Sequence, residues 1–150
     1  MDQVVRAVID RFEPTMSQKE IRIEFDGNAA ETVQVDVDAL EQILVNLLSN
    51  VEKYAAAGKV ARIETWHKSA RTIITVEDGG PGIPHDQRDR VFQPFHRLSD
   101  ELVGPAGTGI GLSIARSLAR MHGGDLTLQQ SDIGACFRVE LHTPIIETES

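Results

Sequence analysis

Three polar side chains lie close together on one long predicted helix. At about 100° per residue, Asn46, Asn50 and Lys53 fall within an arc of about 60°, separate from the apolar stripe. That stripe predicts a helix over about residues 38–56 and consists of Leu40, Leu44, Leu47, Leu48 and Val51. Amide oxygens suit Mg²⁺, and a lysine neutralises phosphate charge. The pattern therefore favours a magnesium and phosphate face, with an ordinary solvated face as the alternative.

An acidic residue, Asp78, stands between a predicted hydrophobic strand and the turn DGGPGIP at 78–84. The glycines allow the backbone to approach a flat ligand, and the prolines restrict its motion. A carboxylate in this place can accept a hydrogen bond from the exocyclic amine of adenine, at a position where guanine carries a carbonyl instead. Because Asp-Gly turns are common, the motif alone leaves a purely structural turn open.

A glycine-rich segment, GTGIGL at 107–112, opens the last predicted helix. Backbone amides at such a helix start bind phosphate oxygens. The segment is not a Walker loop, since Ile110 follows Gly109 where that motif requires lysine, and it lacks the spacing of the dinucleotide fingerprint. Upstream of it, Arg97 lies in a lid-like segment and is placed to reach phosphates.

The remaining elements are predicted from periodicity and from glycine and proline positions. Helices are predicted over 2–16 (closed by Pro14), 38–56 and 110–121, and strands over 21–25, 33–35, 60–67, 72–76, 125–129 and 135–141. Residues 77–109 read as a long functional loop with one helical turn near 88–92. This order predicts a two-layer α/β sandwich, with a mixed, mainly antiparallel sheet and helices on one face.

Composition limits the function classes. The chain has 150 residues, 41% hydrophobic and 25% charged, which fits one globular domain. Its formal net charge of -8 argues against nonspecific nucleic-acid binding and against contact with anionic membranes. It has no apolar run of about 20 residues and no signal peptide. With Cys136 as its one cysteine, no internal disulfide forms, and we expect a cytoplasmic domain.

Four motifs, taken in order, resemble those of one known family. NLLSNVEKY (46–54), DGGPGIP (78–84), VFQPFHR (91–97) and GTGIGLSIAR (107–116) are similar to the N, first glycine, F and second glycine boxes of sensor histidine kinase catalytic domains. These domains belong to the superfamily that also contains gyrase, Hsp90 and MutL. The resemblance covers nearly the whole chain and implies the Bergerat ATP-binding fold. The chain departs from the pattern at Gly79, usually asparagine, and at Val51, usually alanine.

The resemblance implies ATP and Mg²⁺ as ligands. Asn50 would ligate the metal, with Asn46 beside it on the metal and phosphates, and Asp78 would hold adenine. The residues implied in the reaction itself are Asn46, Lys53 and Arg97. Further nucleotide contacts are implied for Lys53, Tyr54, Gly80, Gly82, Ile83, Arg97, Gly107, Thr108, Gly109, Gly111 and Leu112.

The implied reaction is phosphoryl transfer to a histidine outside this chain. ATP-hydrolysing members carry a glutamate four residues before the metal asparagine, whereas this chain has Asn46, which cannot take a proton. None of the five histidines fits the family's phosphoacceptor motif. We therefore expect a dimerisation and phosphoacceptor domain before residue 1, with residues 1–16 ending the connection, and a response regulator as a further partner. A nucleotide-gated pseudokinase and an anti-sigma-factor-like serine kinase are the alternatives.

Overall fold

The computed structural model describes residues 1–29, 32–54, 60–78, 111–129 and 136–145, and only the backbone at 53, 54 and 111. Three helices and five strands lie in these ranges. In chain order they are α1 (Asp2–Gln18), β1 (Arg22–Asn28), α2 (Val37–Tyr54), β2 (Val60–Lys68), β3 (Arg71–Glu77), α3 (Gly111–Met121), β4 (Asp125–Gln129) and β5 (Cys136–His142). The predicted short strand at 33–35 is instead a single bridge between Val33 and Ile145. The predicted turn near 88–92 lies outside the described residues.

The five strands form one sheet in the order β1-β2-β3-β5-β4. β1 runs parallel to β2, and the other three pairings are antiparallel. The hairpin of β2 and β3 turns at Ser69 and Ala70, which both have positive φ. The prediction of a mixed, mainly antiparallel sheet is confirmed.

The core lies on one face of this sheet. Alternate residues of β3, from Thr72 through Ile74 to Val76, are buried, while their neighbours are half-buried. The helices supply the other half of the core, including Val8, Ile9, Leu44, Leu47, Leu48, Val51, Ala115 and Ala119. Helices therefore cover one face, as the sequence predicts, and the opposite face is more open.

The first helix and the first strand are both longer than predicted. α1 continues past Pro14 to Gln18, because Met16 is fully buried and its carbonyl accepts the Ile21 N–H at 2.8 Å. The burial of Met16 thus outweighs the loss of the hydrogen bond that proline removes. β1 continues to Asn28, because its parallel register with β2 extends from Arg22–Val60 to Asn28–Trp66.

Local sequence features determine where α2 begins and where α3 ends. Asp36 caps α2, its Oδ1 accepting the Ala39 N–H at 3.1 Å. α3 ends before Gly123, whose φ of +80° suits glycine. A Cβ on Gly124 would lie 1.6 Å from the Glu140 carbonyl oxygen, so only glycine fits where the chain passes β5. Among the described helices, none is long and apolar enough to cross a membrane.

Candidate functional site

Contacts at one end of the helical layer show how α2 and α3 run. Asp36, just before α2, lies 3.6 Å from His122, just after α3, measured from Oδ2 to Nε2. The two helices pack together, so they are antiparallel. α3 has 11 residues and is roughly 16 Å long. Its glycine-rich start at Gly111 therefore lies about level with residues 46–48 of α2.

β3 leads to the same end of the domain. At its beginning, Arg71 donates from Nη1 to the Gly123 carbonyl at 3.0 Å, close to the end of α3. Asp78 follows seven residues later, roughly 23 Å along the strand direction. It continues the buried alternation of Ile74 and Val76 and is 2% exposed. Its carboxylate therefore lies on the helix side of the sheet, at the end where α3 begins.

The two asparagines of α2 are half-buried. Asn46 accepts a hydrogen bond at Oδ1 from Gln42 Nε2, at 3.3 Å. Its Nδ2 is buried and has no hydrogen-bond partner among the described residues. A buried donor left without a partner costs about 1–3 kcal/mol, so native proteins rarely keep one without a reason. An oxygen of a bound phosphate group would satisfy this donor, and the neutral amide oxygens of the two asparagines fit Mg²⁺.

The acids of α2 nearest these asparagines turn the other way. Glu41 lies 3.8 Å from Arg11 and Glu52 lies 3.4 Å from Lys19, so both carboxylates face α1. Their positions agree with the helical projection, on which neither acid falls within the arc of Asn46 and Asn50. Neither Glu41 nor Glu52 therefore supplies a proton acceptor to the asparagine face, which is the part of the α2 surface that carries Asn46 and Asn50.

The single cysteine lies near this end but on the opposite face of the sheet. Cys136 pairs with Glu77 in the register of β5 and β3. Burial, with the carboxylates of Glu77, Glu64 and Asp78, raises the pKa of the Cys136 thiol to about 11. The thiol therefore stays protonated at neutral pH and is a poor nucleophile.

The described residues bring together part of the predicted site. By the lengths of α3 and β3, Asn46, Asn50, Asp78 and the start of α3 lie towards the same end of the domain, and Leu112 is half-buried against the core. The backbones of Lys53 and Tyr54 complete α2, and Gly111 begins α3. The remaining predicted site residues lie outside the described ranges: Gly80, Gly82, Ile83, Arg97, Gly107, Thr108 and Gly109.

One contact of the site is not predicted from the motifs. Gln42 lies one helical turn before Asn46 and holds its amide oxygen. The available signal was the spacing of four residues, which places side chains side by side on a helix.

Comparison with known proteins shows the family and the fold of this chain. Residues 35–145 match the family described as histidine kinase-, DNA gyrase B- and HSP90-like ATPase. The sensor histidine kinase TmoS of Ectopseudomonas mendocina is 33% identical over 144 residues, which cover 94% of this chain and 15% of TmoS. The solved catalytic domain of the histidine kinase ThkA has a TM-score of 0.83 at 24% identity, covering 95% of this chain and 91% of that one. Full-length ShkA in complex with AMPPNP has a TM-score of 0.83 at 26% identity, covering 97% of this chain and 30% of ShkA.

The fold and the family match together define a nucleotide-binding domain, and the chain belongs to the histidine kinase-, DNA gyrase B- and HSP90-like ATPase family. Within that family it is an ATP-binding catalytic domain of the sensor histidine kinase type. The chain spans about a third or less of the first curated relatives, from 15% of TmoS to 34% of SasA from a Synechococcus strain.

Proposed function

We propose that this domain positions the γ-phosphate of ATP for transfer to a histidine in a dimerisation domain outside this chain. The phosphoryl group then passes to an aspartate of a response regulator. The histidine kinase ThkA, whose catalytic domain shares this fold, has been solved in complex with the response regulator protein TrrA. The proposal extends the family assignment to a reaction and to its partners.

Three described side chains would hold the nucleotide and its metal. Asn50 is proposed as the Mg²⁺ ligand, Asn46 as a contact to the phosphate region, and Asp78 as the acceptor for the adenine amine. The buried Nδ2 of Asn46, which has no partner among the described residues, supports its contact to phosphate. The 2% exposure of Asp78, on the helix side of the sheet, supports its place in a pocket from which water is excluded. When bound, Mg²⁺ supplies neutralisation of phosphate charge.

The observation that carries the choice of reaction concerns the described acids of α2 nearest the two asparagines, because neither of them supplies a base there. Asn46 stands where a hydrolysing relative would need a base, and an amide cannot accept a proton at neutral pH. Glu41 and Glu52 face α1 through their ion pairs. The domain is therefore suited to holding ATP while the nucleophile arrives from another domain, because phosphoryl transfer depends mainly on positioning and charge neutralisation.

The direct test mixes this chain with a phosphoacceptor domain and ATP labelled at the γ-phosphate. We expect label on the acceptor histidine and none retained on this chain alone. ATP binding without any transfer would instead favour a nucleotide-gated module, and label stable as phosphoserine would favour a serine kinase. Stable labelling of this chain alone would refute the inference that the acceptor lies elsewhere.

The metal assignment is tested by Asn50→Ala. We expect transfer to fall by at least about tenfold, since even partners of metal ligands cost 10- to 100-fold when removed. Asn28→Ala is the matched control, because that exposed asparagine lies on β1 and its amide bonds only locally, to the Asp26 carbonyl at 3.4 Å. Full transfer by a folded Asn50→Ala protein would rule out Asn50 as the essential ligand.

A further inference from the structure

The side chain of Asn46 is held by a neighbour with no assigned role. Gln42 is exposed, and its Nε2 donates to Asn46 Oδ1 at 3.3 Å. The two residues are four apart on α2, so their side chains lie on the same strip of the helix surface. This contact decides which edge of the Asn46 amide faces the rest of the site.

The amide is planar, with its oxygen and nitrogen on opposite edges. When Oδ1 faces Gln42, Nδ2 must face away from it, and this is the atom that is buried without a partner among the described residues. A donor that is oriented, and that has no partner among the described residues, is available to an acceptor group of a ligand. Phosphate oxygens are such acceptors, whereas a metal ion is not, because an N–H₂ group cannot ligate it.

We propose that Gln42 is a positioning residue that fixes the Asn46 amide with Nδ2 towards the nucleotide, so that Asn46 donates to a phosphate oxygen. This inference rests on the proposed nucleotide site and deepens it. The two asparagines then have different roles: Asn50 ligates the metal through its amide oxygen, and Asn46 donates a hydrogen bond to a phosphate oxygen through its amide nitrogen. Gln42 itself touches neither group.

Three substitutions of Gln42 separate orientation from charge. Gln42→Met keeps the length of the side chain and removes the donor. Gln42→Glu can only accept, so it would turn Asn46 round and present Oδ1 to the phosphates. Gln42→Lys keeps a donor towards Oδ1 and should retain the orientation. Gln3→Met makes the same change at an exposed glutamine of α1 and serves as the matched control.

The measurement is the dissociation constant for ATP by calorimetry, with Mg²⁺ and again with the metal chelated. We expect Gln42→Met to bind about three- to tenfold more weakly in both conditions, since a hydrogen bond of ordinary net strength is lost. Gln42→Glu should bind at least as weakly, whereas Gln42→Lys and Gln3→Met should bind at least as well as the unmodified chain. In ¹⁵N-edited spectra, the Asn46 side-chain amide resonances should shift on adding ATP without metal.

Each alternative gives a different result. An effect of charge alone would weaken Gln42→Glu but leave Gln42→Met unchanged, and that result would overturn the proposal. If Gln42→Met weakened ATP binding only in the presence of Mg²⁺, Asn46 would be a metal ligand and the proposal would be overturned. The proposal would also be overturned if the Gln42→Lys protein bound ATP as weakly as the Gln42→Met protein. If the unmodified chain bound no ATP, the proposed nucleotide site itself would be refuted. If the unmodified chain and the Gln42→Met protein both bound ATP with the same affinity, only the role of Gln42 would be refuted.

Discussion

Replacing Asp78 by asparagine tests the proposed contact to adenine with little change in the shape of the side chain. Asp78 is 2% exposed, on the helix side of the sheet and at the end where α3 begins. A hydrogen bond to a charged acceptor contributes about 1.5–3 kcal/mol. At about 1.4 kcal/mol for each factor of ten, Asp78→Asn should weaken ATP binding by about 10- to 150-fold.

The same substitution should change the choice of purine. Guanine carries a carbonyl where adenine carries the exocyclic amine, so a carboxylate repels it and an amide nitrogen can donate to it. The ratio of ATP to GTP affinity should therefore fall at least as much as the ATP affinity itself. Calorimetric titration with both nucleotides measures the ratio directly.

Glu77→Gln is the matched control, because it makes the same chemical change one residue earlier. Residues that follow each other on a strand point to opposite faces, so Glu77 lies on the open side of the sheet beside Cys136. We expect its nucleotide affinities to stay within about twofold of the unmodified chain, a difference below about 0.5 kcal/mol. A folded Asp78→Asn protein with unchanged ATP affinity and an unchanged purine ratio would refute the adenine assignment, whatever the control showed.

Two further predictions concern stability. Leu47→Ala should lower the free energy of unfolding by about 2.7–5 kcal/mol, because Leu47 is fully buried in the hydrophobic core. Val37→Ala, at a residue 44% exposed, should cost below about 0.5 kcal/mol in the same urea titration. The Asp125 carboxylate accepts hydrogen bonds from Arg116 Nε at 3.2 Å and from Arg120 Nε at 3.0 Å. Burial acts to raise the pKa of Asp125, but the Leu126 N–H and the two arginines bring this pKa below its usual value. A lowered carboxyl pKa stabilises the fold above the unfolded value of 3.8, and the contribution disappears as the pH falls through the folded pKa. Asp125→Asn should therefore lose about 0.5–1 kcal/mol at pH 7, discounted for its exposure, and nothing near pH 2; an equal loss at both pH values would refute the electrostatic account.

The fold could be predicted where a periodic pattern and a strong terminator agree. β4 begins and ends as predicted, and α3 stops as the glycine pair Gly123-Gly124 requires. α1 was predicted too short, since Pro14 is a local signal and the burial of Met16 is a tertiary one. β1 was predicted too short for a similar reason: its turn-like end is held by a strand more than 30 residues away, at Trp66.

The candidate site could be predicted in its residue types but not in its contacts. Spacing on a helix places Asn46 beside Asn50, and motif order connects both with Asp78. The orientation of an amide depends on which neighbour reaches it, and the sequence does not state that Gln42 does so through its nitrogen. The ion pairs that turn Glu41 and Glu52 towards α1 likewise require the packing of that helix against α2.

Contacts far from the nucleotide end determine where α3 begins. His122 donates from Nδ1 to the Leu118 carbonyl at 2.8 Å, which turns Nε2 towards Asp36, the cap of α2. The His122 carbonyl in turn accepts the His142 N–H of β5 at 3.0 Å. One residue thus joins the end of α3 to the start of α2 and to the sheet. Because α3 is a stiff rod of roughly 16 Å, fixing its far end also fixes the level along α2 at which α3 begins. The start of α3, for which phosphate contacts are proposed, therefore depends on a junction at the opposite end of the helix.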